Sequence, residues 1–156
     1  VHQKNWAWFV HEDKLMLEYR MNPHVVLEVD SSTGEVIAEH KHFQDLTKLW
    51  KFGECRAGGN PILKDDGFYH GFFHSSLPWR NHKRRYFMGY YKFESKPPFK
   101  IVEMSEKPIL YGNEYDERTL KDLSPLVVFP CGAIEKDGKF IVSFGFNDEK
   151  IGIVKY

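Results

Sequence analysis

The sequence lacks a net charge: 22 Lys and Arg balance 22 Asp and Glu. No global field therefore draws the chain toward nucleic acid or anionic lipid, and neither is expected as a partner. No apolar run approaches the ~18 residues that would span a membrane. Cysteine is scarce, with Cys55 and Cys131 alone, too few for the disulfide framework of a small secreted scaffold. That scarcity suits a reducing compartment, and a cytoplasmic location is the expectation. The plain reading of both thiols is burial, since free Cys is usually an inert core residue. Low-complexity segments, a signal peptide and an initiating Met are also missing; the first residue is Val1. That start predicts a chain processed, trimmed or cut from something longer. A Gly-x-Ser-x-Gly nucleophile motif is absent too, so Ser-His-Asp chemistry has no support.

Aromatic residues are abundant instead: 13 Phe, 8 Tyr and 4 Trp make 16% of the chain, and hydrophobic residues make 42%. With the many Val and Ile, this favours strands over helices. A length of 156 residues predicts one domain with a packed core.

One pattern recurs three times: strand, tight turn, strand, loop, strand. The first copy predicts strands at Ala7–Val10, Lys14–Arg20, His24–Val29 and Glu35–His40. Leu15, Leu17 and Tyr19 alternate with Met16, Glu18 and Arg20, as a pleated strand requires, and Asp30-Ser31-Ser32-Thr33-Gly34 supplies turn chemistry. The second copy turns at Asp65-Asp66-Gly67, runs from Phe68 to His74, and crosses a polar insert, Ser75 to Arg85. It resumes at Tyr86–Glu94 and ends on Phe99–Met104. The third turns at Asp137-Gly138 and again at Asn147-Asp148-Glu149-Lys150, and stops at Tyr156 without a fourth strand. The linker Phe43–Phe52 carries Leu46, Leu49 and Trp50 near helical spacing and predicts a short helical turn; Tyr111–Leu126 reads as loop.

Four sequential antiparallel strands form the blade of a β-propeller, and repeats of this size stack because one unit cannot bury its own faces. The expected fold class is all-β. It comprises about three blades of four-stranded antiparallel sheets, at roughly 4–42, 55–110 and 127–156, in a single partial propeller domain over 1–156. The last blade lacks its outer strand. Such ends expose unpaired edges, so the chain is expected to be a homo-oligomer, as in a closed ring, or to have lost an N-terminal segment.

The words of the repeat, in order, are Lys4-Asn5-Trp6, Arg56-Ala57-Gly58-Gly59-Asn60-Pro61, Phe72-Phe73-His74-Ser75, Tyr86-Phe87-Met88-Gly89, Pro97-Pro98-Phe99, Lys107-Pro108-Ile109-Leu110, Val127-Val128-Phe129-Pro130-Cys131-Gly132 and Phe144-Gly145-Phe146-Asn147-Asp148. This series resembles glycoside hydrolase family 130, the β-mannoside phosphorylases, mannosidases and related mannosyltransferases, over nearly the whole chain. The resemblance implies a partial five-bladed propeller with its site in the central channel, and a carbohydrate-active protein that binds a mannosyl substrate. It also implies that a catalytic Asp from an early blade is the general acid. No segment here matches the motif that carries that Asp, so no catalytic residue is assigned. The alternative is a non-catalytic sugar-binding or self-assembling module.

Matching the family's words, Arg56 falls where relatives place a basic residue toward phosphate or sugar. His74 matches a phosphate-binding His, Tyr86 an aromatic hydroxyl, and Asp148 a carboxylate on sugar hydroxyls. Independently, the loops joining second and third strands should share one face of a propeller. That groups Arg20 with His74 and with Asn147, and Asn5 precedes its strand as Arg56 precedes its own. Planar donors and acceptors of this kind suit sugar hydroxyls. Each has a plainer reading. Arg56 could pair with Glu54 or Glu18, His74 could cap a strand, Asn147-Asp148 is ordinary turn chemistry, and Arg20 could be a surface charge. The basic run Arg80 to Arg85 could be a solvated loop tip. His40/His42 and His70/His74 lack an obvious third ligand, so no metal is expected. Ordinary glycoside hydrolysis needs two carboxylates; a phosphorylase replaces one with bound phosphate. Arg56, His74 and the basic run favour phosphorolysis or mannosyl transfer for the intact protein. No cofactor is called for beyond inorganic phosphate as co-substrate.

Overall fold

Strand-forming runs and tight turns alternate along the chain. The computed structural model, which describes residues 5–80, 83–113 and 126–156, arranges them in three antiparallel sheets. The first sheet is β1 (Ala7–His11), β2 (Lys14–Arg20), β3 (His24–Val29) and β4 (Val36–His42) in sequential order. The second is built on two long strands, β7 (Phe68–Pro78) and β8 (Arg84–Glu94). The short strands β5 (Arg56–Ala57) and β6 (Ile62–Leu63) pair with β7, and β9 (Ile101–Met104) and β10 (Leu110–Tyr111) pair with β8. The third is β11 (Val128–Lys136), β12 (Lys139–Phe146) and β13 (Lys150–Lys155). These are β-propeller blades. The third sheet has three strands among the described residues. Between the first two sheets the predicted helical turn is a 3-10 turn at Leu46–Lys48, with the Asp45 carboxylate accepting from the Thr47 amide. No helix among the described residues is long and apolar enough to cross a membrane.

The turns follow from residue chemistry. Glu12-Asp13 and Asp137-Gly138 each form a two-residue connection with both φ values positive, the twist that matches flanking strands. Asn147 and Asp148 also adopt positive φ, at 52° and 56°, a region that Asn and Asp enter more readily than other side chains.

Side-chain alternation sorts each sheet into two faces. On the first sheet, Ala7, Phe9, Met16, Glu18, His24 and Val26 face the second sheet. There they meet Tyr69, Phe73, Tyr91 and Phe93, all at 1% exposure or less. Each large apolar side chain so enclosed contributes about 1.5–3 kcal/mol. The opposite face of the second sheet, with Phe72, Met88 and Tyr90, packs on Val128, Phe140 and Val142 of the third. The second sheet is thus the middle layer. Gly58 and Gly59 permit its close approach to the third: a side chain at Gly59 would stand 2.6 Å from the Gly132 Cα.

Four expectations are corrected. First, β7 continues to Pro78 and β8 begins at Arg84, paired Ser75↔Phe87 through Pro78↔Arg84, so most of the supposed polar insert is strand. The Arg84 guanidinium closes that end, donating from Nε to the Ser76 Oγ and from Nη2 to the Ser76 carbonyl, both at 2.9 Å. Second, the basic run is only partly solvated in its described residues: Arg80 and Arg84 are exposed, Lys83 is buried and Arg85 half-buried. Lys83 is 4% exposed, and the Arg85 guanidinium lies 3.5 Å from the centre of the Trp79 ring, a cation–π contact; Asn81 and His82 fall outside the described residues. Third, Phe99 lies in the turn before β9, with φ of 59°, so the fourth strand of this sheet starts at Ile101. Fourth, only Cys55 is buried; Cys131 is exposed and both are free thiols. Burial, then the Glu54 charge, pushes the Cys55 thiol up to about 12. Most of the loop expected over Tyr111–Leu126, residues 114–125, lies outside the described residues.

Candidate functional site

The second and third sheets, with Asn5 ahead of the first, line one cavity of about 610 Å³, within the roughly 300–1,000 Å³ range of small-molecule sites. Register explains its walls. On β7, His74 and Ser76 point to the same face, and on β8 Arg84 and Tyr86 point with them, because Ser76 pairs with Tyr86 and Pro78 with Arg84. Arg56 of β5 is the register partner of His74. The segment before β11 and its start add Val127 and Phe129, and the β12–β13 turn adds Asp148. Asn5, at φ of 66°, enters from the first sheet's side, and Glu54 from the segment just before β5.

Within the cavity the His74 ring is 4% exposed. It lies 4.6 Å from the Phe129 ring and near-parallel to Tyr86 at 6.1 Å. The Arg56 guanidinium meets the Glu54 carboxylate at 3.2 Å, with side chains 44% and 73% exposed. A pair this open contributes about 0–1 kcal/mol and can be exchanged for a ligand at little cost. Asn147 is 9% exposed. Its amide N–H donates to the Val127 carbonyl at 2.9 Å and its side-chain nitrogen to the Asn113 carbonyl at 3.2 Å. It therefore fixes the turn that presents Asp148 and does not itself line the cavity.

Of the residues singled out from sequence, Asn5, Arg56, His74, Tyr86 and Asp148 are brought together. Asn147 stands behind Asp148. Arg20, exposed at the end of β2 where the β2–β3 register shifts, is not among the lining residues; Lys4 lies outside the described ones. Glu54, Ser76 and Arg84 were missed. For Ser76 and Arg84 the alternation of 74 with 76 and of 84 with 86 carried that signal, hidden because Ser75 to Arg85 read as loop; for Glu54 no such pattern existed. The cavity thus joins two guanidinium groups and an imidazole to two carboxylates, a phenol and an aromatic face. Guanidinium forks suit a tetrahedral oxyanion, and a carboxylate beside a phenol suits sugar hydroxyls. Among the described residues no group of three or more His, Cys, Asp and Glu is placed to hold a metal.

No family model matches the chain. It is 31% identical over 143 residues to a β-1,2-mannobiose phosphorylase of Thermoanaerobacter sp. (strain X514), covering 90% of this chain and 44% of that protein. In fold it matches the β-1,2-mannobiose phosphorylase from Listeria innocua, solved with β-1,2-mannobiose. The TM-score is 0.70 at 16% identity, over 99% of this chain and 44% of that one. A structure from the GH130 family of mannoside phosphorylases, which contains hydrolases that target β-1,2 mannosidic linkages in Candida mannan, gives a TM-score of 0.59. Its identity is 13%, over 97% of this chain and 47% of that one. The chain is glycoside hydrolase family 130-like. This GH130-like chain spans less than half the length of these relatives, 44% of both phosphorylases and 47% of the third. At 13–16% identity the two structures bear on the fold alone.

Proposed function

We propose that this GH130-like chain supplies the anion- and sugar-binding wall of a mannoside phosphorylase-type site. The observation that carries the reading is the convergence of Arg56, His74 and Arg84 with Asp148 and Tyr86 on one cavity. Arg56, Arg84 and His74 hold inorganic phosphate, and Asp148 with Tyr86 and Asn5 holds the mannosyl hydroxyls. In phosphorolysis a phosphate oxygen bonds to the anomeric carbon while the glycosidic C–O bond breaks, and the departing oxygen takes a proton from a general acid. A general acid needs an enclosed carboxyl. Glu54 and Asp148 are both exposed, so the acid comes from outside this wall. That same exposure favours a second reading, a sugar-binding module without turnover.

The test is titration of inorganic phosphate, mannose and mannose 1-phosphate. Arg56→Ala and His74→Ala should each weaken phosphate by about tenfold or more, the worth of a charge-assisted hydrogen bond. Asp148→Ala should weaken mannose and leave phosphate nearly unchanged. Mannose binding without any phosphate binding would select the module; no binding of either ligand would end both readings.

The reading extends to the outer faces. On the first sheet, Trp6 and Trp8 are 46% and 39% exposed beside Leu15, Leu17 and Tyr19; on the third, Ile151 and Ile153 are 88% and 69% exposed. Because the chain covers 44% of its phosphorylase relative, these faces suit neighbouring propeller sheets, which a second copy supplies when the chain is alone. Sedimentation should then give a mass above the 18.4 kDa of one chain. A compact monomer would rule this packing out.

A further inference from the structure

The stack of sheets has a direction. The inner face of the first sheet meets one face of the second, and the second turns its opposite face to the third. The first hairpin turns of all three sheets lie along one edge of that stack. Tyr69, just past the β6–β7 turn, donates its hydroxyl to the Val10 carbonyl at 3.1 Å, beside the Glu12-Asp13 turn. Lys64, in the β6–β7 turn, meets Glu135 at 2.7 Å, beside the Asp137-Gly138 turn. The turn after β3 joins the same edge, because Val29 pairs with Leu15. Two faces are left over: the outer face of the first sheet and the outer face of the third.

At the hairpin edge these two faces carry opposite charge. On the third sheet Lys136 pairs with Lys139 in register, and Lys155 pairs with Ile141 in the next row. With Asp137 these four residues line a cavity of about 330 Å³. Phe140 and Val142 point to the second sheet, so alternation turns Lys139 and Ile141 outward. Lys14, Lys64 and Lys92 each have a carboxylate partner. Lys136, Lys139 and Lys155 are exposed and form no ion pair among the described residues. At the same edge the first sheet presents Glu12, Asp13 and Glu35, also exposed and also without an ion pair among the described residues. Away from that edge both faces are apolar, with Trp8 and Val10 exposed on the first and Ile134 and Ile153 on the third. A chain of zero net charge thus sorts unpaired charge of each sign onto opposite ends of its stack. Pairing third face with third face would give the lysines no anion; pairing third face with first face gives them three.

We infer that a second copy of this chain covers both faces, head to tail. Its first sheet seats on the third sheet of this copy, with Glu12, Asp13 and Glu35 of the second copy against Lys136, Lys139 and Lys155. The contact continues the stack in its own direction and is heterologous, so it ends only by closing a ring. Two copies of three sheets supply six, within the roughly four to eight blades of a propeller. The inference rests on the neighbouring-sheet reading of the outer faces given above, and adds which face meets which and the charges that set the direction.

The experiment is sedimentation of two charge-altered chains, alone and mixed. One carries Lys136→Glu, Lys139→Glu and Lys155→Glu; the other carries Glu12→Lys, Asp13→Asn and Glu35→Lys. Asn suits the φ of 61° at position 13. Alone, each variant sets like charges together at both joints of the ring and should self-associate at least about tenfold more weakly than the unaltered chain. Mixed in equal amounts, altered face meets altered face and unaltered meets unaltered, so the mass should return to twice the 18.4 kDa of one chain. Association of the unaltered chain should also weaken as salt rises. Self-association that ignores salt and both sets of changes, or no recovery on mixing, would overturn the head-to-tail pairing and leave the neighbouring-sheet reading standing. An unaltered chain that stays a compact monomer would overturn both.

Discussion

Glu18→Ala is expected to destabilise the chain by about 3–5 kcal/mol, the cost of breaking a buried pair from one side. Glu18 lies on the first sheet's inner face at 0% exposure, with His24 at 1% and Tyr91 at 0%. Its carboxylate accepts from the Tyr91 hydroxyl and sits 3.0 Å from the His24 Nε2. The other imidazole nitrogen, Nδ1, faces the Phe99 carbonyl. The ring thus bridges the carboxylate and a backbone carbonyl. Burial, then the Glu18 charge, holds the Tyr91 phenol well above its usual range, so it stays a donor. Removing the carboxylate leaves the Tyr91 hydroxyl and the His24 Nε2 without their partner in an apolar layer, at about 1–3 kcal/mol for each unsatisfied group. Glu18→Gln keeps an acceptor oxygen and should cost clearly less. Denaturant unfolding reads the difference, and melting should fall by about 2–4 °C per kcal/mol for a chain of this size. A loss below 1 kcal/mol for Glu18→Ala would mean that the group does not tie the two sheets together.

Gly59→Val should release the third sheet. A Cβ at Gly59 would lie 2.6 Å from the Gly132 Cα and 2.7 Å from its nitrogen, and one at Gly58 would lie 2.7 Å from the Phe72 carbonyl. These neighbours are largely backbone and cannot turn aside as a side chain can. Overpacking by a single methyl-sized group costs about 1–3 kcal/mol, and a branched side chain against backbone should reach the top of that range. The effect should be local. Amides of β11–β13 should lose hydrogen-exchange protection while β1–β4 keep theirs, and sugar binding should fall because Phe129 and Asp148 leave the cavity. Gly145→Ala is the control: it has an ordinary φ and nothing within 4 Å of its Cβ, so it should change little. Equal loss of protection in the first and third sheets would show that the domain unfolds as one unit, against the local effect argued here.

The Arg56-Ala57-Gly58-Gly59-Asn60-Pro61 word illustrates how much was legible in advance. It marks where one blade begins and which cation opens it, yet the need for its glycines becomes visible only when β11 is laid against them. The same holds across the site. Asp148 could be picked out as a turn carboxylate and His74 as a strand-end imidazole. Their meeting in one cavity depends on how the second and third sheets stack. Arg20 had the same local credentials and falls outside.

By itself the sequence determined the strands and hairpins. Period-2 alternation places Leu15, Leu17 and Tyr19 on one face, and Asp30 to Gly34, Asp137-Gly138 and Asn147-Asp148 supply turns. These are short-range effects, set by residues within a few positions of one another. The ordered words also carried the family likeness. Only the tertiary structure decided that β7 and β8 extend over Ser75–Pro78 and Arg84–Arg85, that Lys83 is covered while Cys131 is open, and that Glu18 is enclosed with His24 and Tyr91. Each of those depends on which distant strand covers a given face, and neither local periodicity nor turn chemistry encodes that.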